Sequence, residues 1–162
     1  MINGIHYITL ASDASGGRGV EGHDGVGFAY YYRTDDGTKR HAWYMPVKIG
    51  ISKAELIACV EGMKAIKAAG HQGKLIIYMD NQIVLTIMKR QMKAVTIRKY
   101  KGLVEECEQL LRYFDDVEFR HVKSHQKRSD QKRWYLNRWC DINARTQLRS
   151  KGNKPIREVV PT

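Results

Sequence analysis

The chain has 162 residues, with 28 Lys/Arg against 17 Asp/Glu and a formal net charge of +11 at pH 7. That length suits one domain with a real core rather than two. No apolar run approaches the roughly 20 residues that span a bilayer, and the opening MINGIHYITLASD lacks the basic-then-apolar pattern of a signal peptide, so a soluble, cytoplasmic protein with no membrane partner is expected.

Three strand-like segments come first. IHYITLASD is rich in β-formers, VGFAYYYRT more so, and KRHAWYMPV follows the hairpin signal at Asp36-Gly37; together they predict an antiparallel meander. SKAELIACVEGMKAIKAAG then sets Leu56, Ile57, Val60, Met63, Ala65 and Ile66 close to helical period. Ser52 is the expected N-cap of this helix and Gly70 its stop. KLIIYM reads as a short buried strand, NQIVLTIMKRQ and IRKYKGLVEECEQLLRYF as helices, VEFRHV as a strand, and Arg133 to Leu148 as a last helix. The expected order is βββαβααβα, and strand-helix-strand crossovers after a meander imply a mixed sheet covered by helices on both faces. The tail KGNKPIREVVPT is expected to be loosely held.

Charge is unevenly spread. Residues 1–80 hold 9 Lys/Arg against 8 Asp/Glu, whereas residues 81–162 hold 19 against 9, which favours a polyanionic partner, nucleic acid before an anionic membrane surface. Cys59, Cys107 and Cys140 are odd in number, far apart and without C-x-x-C spacing, which argues against a disulfide framework or zinc site and leaves them as reduced thiols. The Gly-rich GGRGVEGHDGVG lacks the Gly-Lys-Ser/Thr of a phosphate loop, so a hairpin or substrate-side loop is expected there.

Four acids fall where one point could be in reach of all of them: Asp13 in or just after the first strand, Glu55 in the first turn of the first helix, Asp80 at the end of KLIIYM, and Asp141 in the last helix. Each also has an ordinary structural use. Asp80 could cap the next helix, Glu55 could complement a helix dipole, Asp13 could form a turn, and Asp141 could be an exposed helix position. If the first and fourth strands are parallel neighbours, however, Asp13 and Asp80 meet at the edge where open α/β sheets bind ligands. Clustered carboxylates repel and persist only with raised pKa values or bound cations. Hard oxygen donors suit Mg²⁺ or Mn²⁺, and two such ions about 3.5–4 Å apart serve phosphoryl transfer.

SDAS around Asp13, AELIA around Glu55, YMDNQIV around Asp80, HVKSH ending at His125 and NRWCDINAR around Asp141 resemble, in order and approximate spacing, the type 1 ribonucleases H. The resemblance implies an α/β fold over residues 1–150, a five-stranded sheet with three antiparallel strands and then parallel β-α-β units, followed by the tail 151–162. It also implies an endonuclease that cuts the RNA strand of RNA/DNA hybrids and leaves 5′-phosphate and 3′-hydroxyl ends. Asp13, Glu55, Asp80 and Asp141 would hold two Mg²⁺ or Mn²⁺ ions, and His125 would be the family's mobile histidine, which assists proton transfer or product release. Ser15, Ser52, Asn81, Gln82, Lys89, Arg90, Lys93, Lys123, Lys127, Arg128, Trp134 and Asn137 are the expected substrate contacts, in a monomer without a small-molecule cofactor. His121 is assigned to packing or solvent.

Three departures matter. Ile51, Ser52 and Lys53 stand where the family commonly has Thr-Asn-Asn against RNA 2′-hydroxyls, the group that distinguishes RNA from DNA. The Trp-rich basic handle is replaced by the shorter KRQMKAVTIRKYK, and the loop before Asp141 is a long QKRSDQKRWYLNRW, whose Trp134, Tyr135 and Trp139 could stack on bases or, for the two Trp, lie in the core. A nuclease for another duplex or structured DNA, and a non-catalytic nucleic-acid-binding module, therefore stand beside the hybrid nuclease as alternatives.

Overall fold

The computed structural model describes residues 4–17, 25–88, 100–122 and 134–158, with the backbone alone described at Ile83, Ile87, Met88, Lys101 and Trp134. Its strands are β1 (Tyr7–Gly16), β2 (Val26–Thr34), β3 (Gly37–Met45), β4 (Lys74–Met79) and β5 (Asp116–His121). Its helices are α1 (Ile51–Ala68), α2 (Gln82–Met88), α3 (Lys101–Tyr113) and α4 (Trp134–Ser150). The order βββαβααβα is the expected one. The five strands form one sheet in the order β3-β2-β1-β4-β5. The first three are antiparallel, and β1, β4 and β5 run parallel.

The period of two along β4 explains why it is apolar throughout. Leu75, Ile77 and Met79 face the cluster built with α1, α2 and α3, around Leu56, Met63, Val84 and Leu110. Ile76 and Tyr78 face the opposite cluster, with Leu136, Trp139, Cys140 and Ala144 of α4. A strand buried on both faces carries no polar alternation. Trp139 is part of this core, 1 % exposed, with its ring edge-on to Tyr31 at 5.3 Å. All three cysteines are buried thiols.

Two glycines are required by geometry. The end of α1 is a paired turn in which Gly70 (φ +82°) donates to the Lys67 carbonyl and His71 to that of Ile66, with Ala69 as C-cap. Gly27 on β2 lets α4 lie against the sheet backbone, because a Cβ there would sit 1.9 Å from the Ala144 carbonyl oxygen.

Two sequence expectations are corrected. Ser52 is not the N-cap of α1: the helix begins at Ile51 after Gly50, whose carbonyl takes the first bond from Ala54. The cap is backbone geometry, with no side-chain contribution. The loosely held tail does not describe residues 153–158, because Asn143, fully buried on α4, donates to the Arg157 carbonyl and accepts from its N–H. Gln147 bonds the Lys154 carbonyl, and Ile156 packs on the α4 cluster. Two buried amides on the last helix need partners, and the tail supplies them. No helix among the described residues is long and apolar enough to cross a membrane.

Candidate active site

The site forms where the sheet loses a neighbour. Strand β1 pairs with β4 only as far as Ala11 opposite Tyr78, yet continues beside β2 to Gly16 opposite Val26. Two residues beyond that last parallel pair lie Asp13 and Asp80, level with each other at the carboxyl edge. Asp13 shares the strand face of Ala11, the side covered by α4. Glu55 is buried in the second turn of α1 rather than the first, because the helix starts at Ile51, two residues earlier than expected, and its first turn carries no acid. Ligand oxygens of Asp13, Glu55 and Asp80 all lie within 4.8 Å of one another.

Asp80 is followed directly by a residue that caps α2. The cap is Asn81, whose Oδ1 accepts from Val84 N–H at 3.2 Å while its carbonyl takes the first helical bond, from Leu85. The Asn81 Nδ2 in turn donates to Ser52 Oγ at 3.4 Å, and its side chain also bonds Glu55. Asn81 and Ser52, expected as substrate contacts, thus also link the start of α1 to the start of α2. His121 is more than a packing or solvent residue: its Nε2 donates to the Asp80 carbonyl at 2.9 Å, and Val122 N–H bonds the Met79 carbonyl beside it. The end of β5 thereby clamps the segment that carries Asp80.

The electrostatics follow from crowding acids in a dry place. Burial pushes Asp13 well above the usual carboxylate range, and the charges of Asp80, Glu55 and Asp141 push it further. The Ala14 N–H, donating to Asp13 Oδ1 at 2.9 Å, opposes this. Glu55 is raised to about 8, first by burial and then by Asp80, against the lowering bond from Asn81. Glu55 Oε2 is shut off from solvent with no hydrogen-bond partner among the described residues. An orphaned carboxylate oxygen facing two other carboxylates is what a divalent cation would satisfy, so the residues present fit Mg²⁺ or Mn²⁺.

Asp141, the fourth expected ligand, is near enough to act on Asp13 but stands outside the group of three. Its Oδ2 accepts from Arg145, one turn along α4, at 2.9 Å. An Asp-x-x-x-Arg spacing on a helix is the signal from which this pair was readable. Asn137, one turn before Asp141, has an Nδ2 shut off from solvent with no partner among the described residues. Ser15 is half-buried opposite Gly27, and Gln82 is exposed at the first turn of α2. His125, Lys89, Arg90, Lys93, Lys123, Lys127 and Arg128 lie outside the described residues, as does the Trp134 side chain.

The sequence model of the reverse transcriptase-like family matches residues 26–130. The chain belongs to this reverse transcriptase-like family. No curated protein sequence matches it. In three dimensions it is similar to RNase H1 from the halophilic archaeon Halobacterium salinarum, at TM-score 0.69 and 16% identity over 90% of this chain and 99% of that one. The N-terminal RNase H domain of a Mycobacterium tuberculosis protein superposes at TM-score 0.68 and 15% identity, covering 90% and 99%. LC11-RNase H1, solved in complex with an RNA/DNA hybrid, superposes at 0.64 and 12%, covering 89% and 98%. The fold of this reverse transcriptase-like chain is that of the type 1 ribonucleases H, shared at identities where only architecture is held in common.

Proposed function

We propose that this chain is a metal-dependent endonuclease that hydrolyses the RNA strand of RNA/DNA hybrids. The observation that carries the reading is the convergence of Asp13, Glu55 and Asp80, from three separate elements, on one buried point of a ribonuclease H fold. Asp13, Glu55, Asp80 and Asp141 would hold two Mg²⁺ or Mn²⁺ ions, which when bound supply an activated water and charge stabilisation at the phosphate. The protein's own part is positioning. The Ala14 N–H orients Asp13, Asn81 orients Glu55, and His121 holds the backbone of Asp80, so the carboxylates keep their places without a cation. The basic residues of 81–162 supply the counter-charge for a phosphate backbone, and His125 is proposed to assist proton transfer or product release. A monomer acting without a small-molecule cofactor completes the reading.

A second reading keeps the chemistry and changes the duplex. Ile51, Ser52 and Lys53 replace the residues that would read 2′-hydroxyls, and Ser52 Oγ already accepts a bond from Asn81. Labelled RNA/DNA, RNA/RNA, DNA/DNA and branched DNA substrates, each incubated with Mg²⁺ or Mn²⁺, test both. Cutting of the hybrid alone, in its RNA strand and lost in Asp80→Asn, is the expected result. Preferred cutting of another duplex selects the second reading, and no metal-dependent cutting of any substrate ends both.

A further inference from the structure

Arg145 bears on which carboxylates a cation meets first. Asp13, Glu55 and Asp80 are gathered within 4.8 Å, while Asp141 is drawn along its own helix to Arg145 at 2.9 Å. The spacing of four places both on one stripe of α4. The guanidinium is anchored on one side only: Nη donates to Asp141 Oδ2, but Nε is shut off from solvent with no hydrogen-bond partner among the described residues. A single-pronged contact lacks the second bond of a bidentate fork and is correspondingly easier to displace. The Arg145 side chain is 38% exposed and that of Asp141 20%, so a displaced guanidinium has water to turn into. A guanidinium and a divalent cation at the same carboxylate repel each other, so the two compete for Asp141.

We infer that Arg145 is a positioning residue that holds Asp141 out of the carboxylate group, so that the cation of Asp13, Glu55 and Asp80 binds first and any cation that needs Asp141 must displace Arg145. The binding order is built into the helix. Asp141 is a conditional ligand, in contrast to the three acids already assembled, and Arg145 sets the concentration at which it joins them. This rests on reading the acids as cation ligands.

The test is Mn²⁺ binding to the full chain without nucleic acid, followed by the electron paramagnetic resonance signal of free Mn²⁺ and by calorimetry. Wild type is compared with Arg145→Gln, with Arg145→Met as a second neutral variant should the first not fold, with Arg145→Lys, and with the double variant Asp141→Asn/Arg145→Gln. The first equivalent should stay within about twofold of wild type in every variant, while the neutral variants take a further equivalent at least about fivefold more tightly. Arg145→Lys should return the wild-type pattern, and the gain should vanish when Asp141 is also replaced. A further equivalent that is unchanged or weaker in the neutral variants, or a gain that survives loss of Asp141, overturns the role of Arg145 alone. Absence of any Mn²⁺ binding in wild type and variants overturns the cation reading with it.

Discussion

At the residue scale the molecule concentrates its strain in charge. Asp13 and Glu55 are raised by burial and by Asp80, so the folded chain without cations holds protons that the unfolded chain has released. Stability therefore falls as pH rises, for Glu55 between its ordinary value of 4.5 and about 8. Asp80→Asn removes the charge that, after burial, does most to raise both acids. Melting in EDTA should show the variant more stable than wild type at pH 8, by on the order of a few kcal/mol, with the gap closing toward pH 5. A pH-independent difference would mean that Asp80 does not bear on the two acids. Asn81 illustrates the same economy of position: one amide caps α2 and links Ser52 and Glu55. The sequence YMDNQIV pointed to Asp80 as a cap former, and the geometry shows its neighbour Asn81 capping the helix.

At the element scale, α4 is the piece whose placement matters most to the site, since it brings Asp141 and Arg145 to the α4 side of β1. Its approach depends on Gly27, where a Cβ would meet the Ala144 carbonyl oxygen at 1.9 Å and the Leu148 nitrogen at 2.7 Å. These are backbone atoms of a helix and cannot turn aside. Gly27→Ala should therefore cost about 3 kcal/mol or more, read as a lowered urea midpoint together with a changed near-ultraviolet dichroism from Trp139, which packs on Tyr31 of the same strand. A variant with the wild-type midpoint would show that the helix can shift without loss. The amphipathic pattern of α1 was legible as a period of 3.6, and the doubly buried β4 as a short unbroken apolar run. The need for glycine at position 27 was not, because it is set by a helix more than a hundred residues later in the chain.

At the scale of the whole molecule, residues 153–158 are part of the fold. Asn143 and Gln147, both buried, find their partners in Arg157 and Lys154, and Arg40 of β3 pairs with Glu158. Ending the chain after Gly152 removes these partners and uncovers the α4 side of the core. A loss of roughly 1–3 kcal/mol is expected, a melting temperature lower by about 5 °C; an unchanged melting temperature would show that water replaces the tail at no cost. Surface pairs such as Lys64–Glu61 contribute little by comparison.

The sequence by itself determined the order of elements and the set of candidate acids, because those depend on local periodicity and on spacing along the chain. It also exposed the family resemblance through five short segments in order. Tertiary structure decided what the acids do together: that β1 and β4 pair so that Asp13, Glu55 and Asp80 meet within 4.8 Å while Asp141 turns to Arg145, that Asn81 caps α2, and that Lys154 and Arg157 bond the buried amides of α4. Each of these is a competition between nearby partners for one hydrogen bond or one charge. Such competitions are settled by distance and burial, which one-dimensional spacing does not contain.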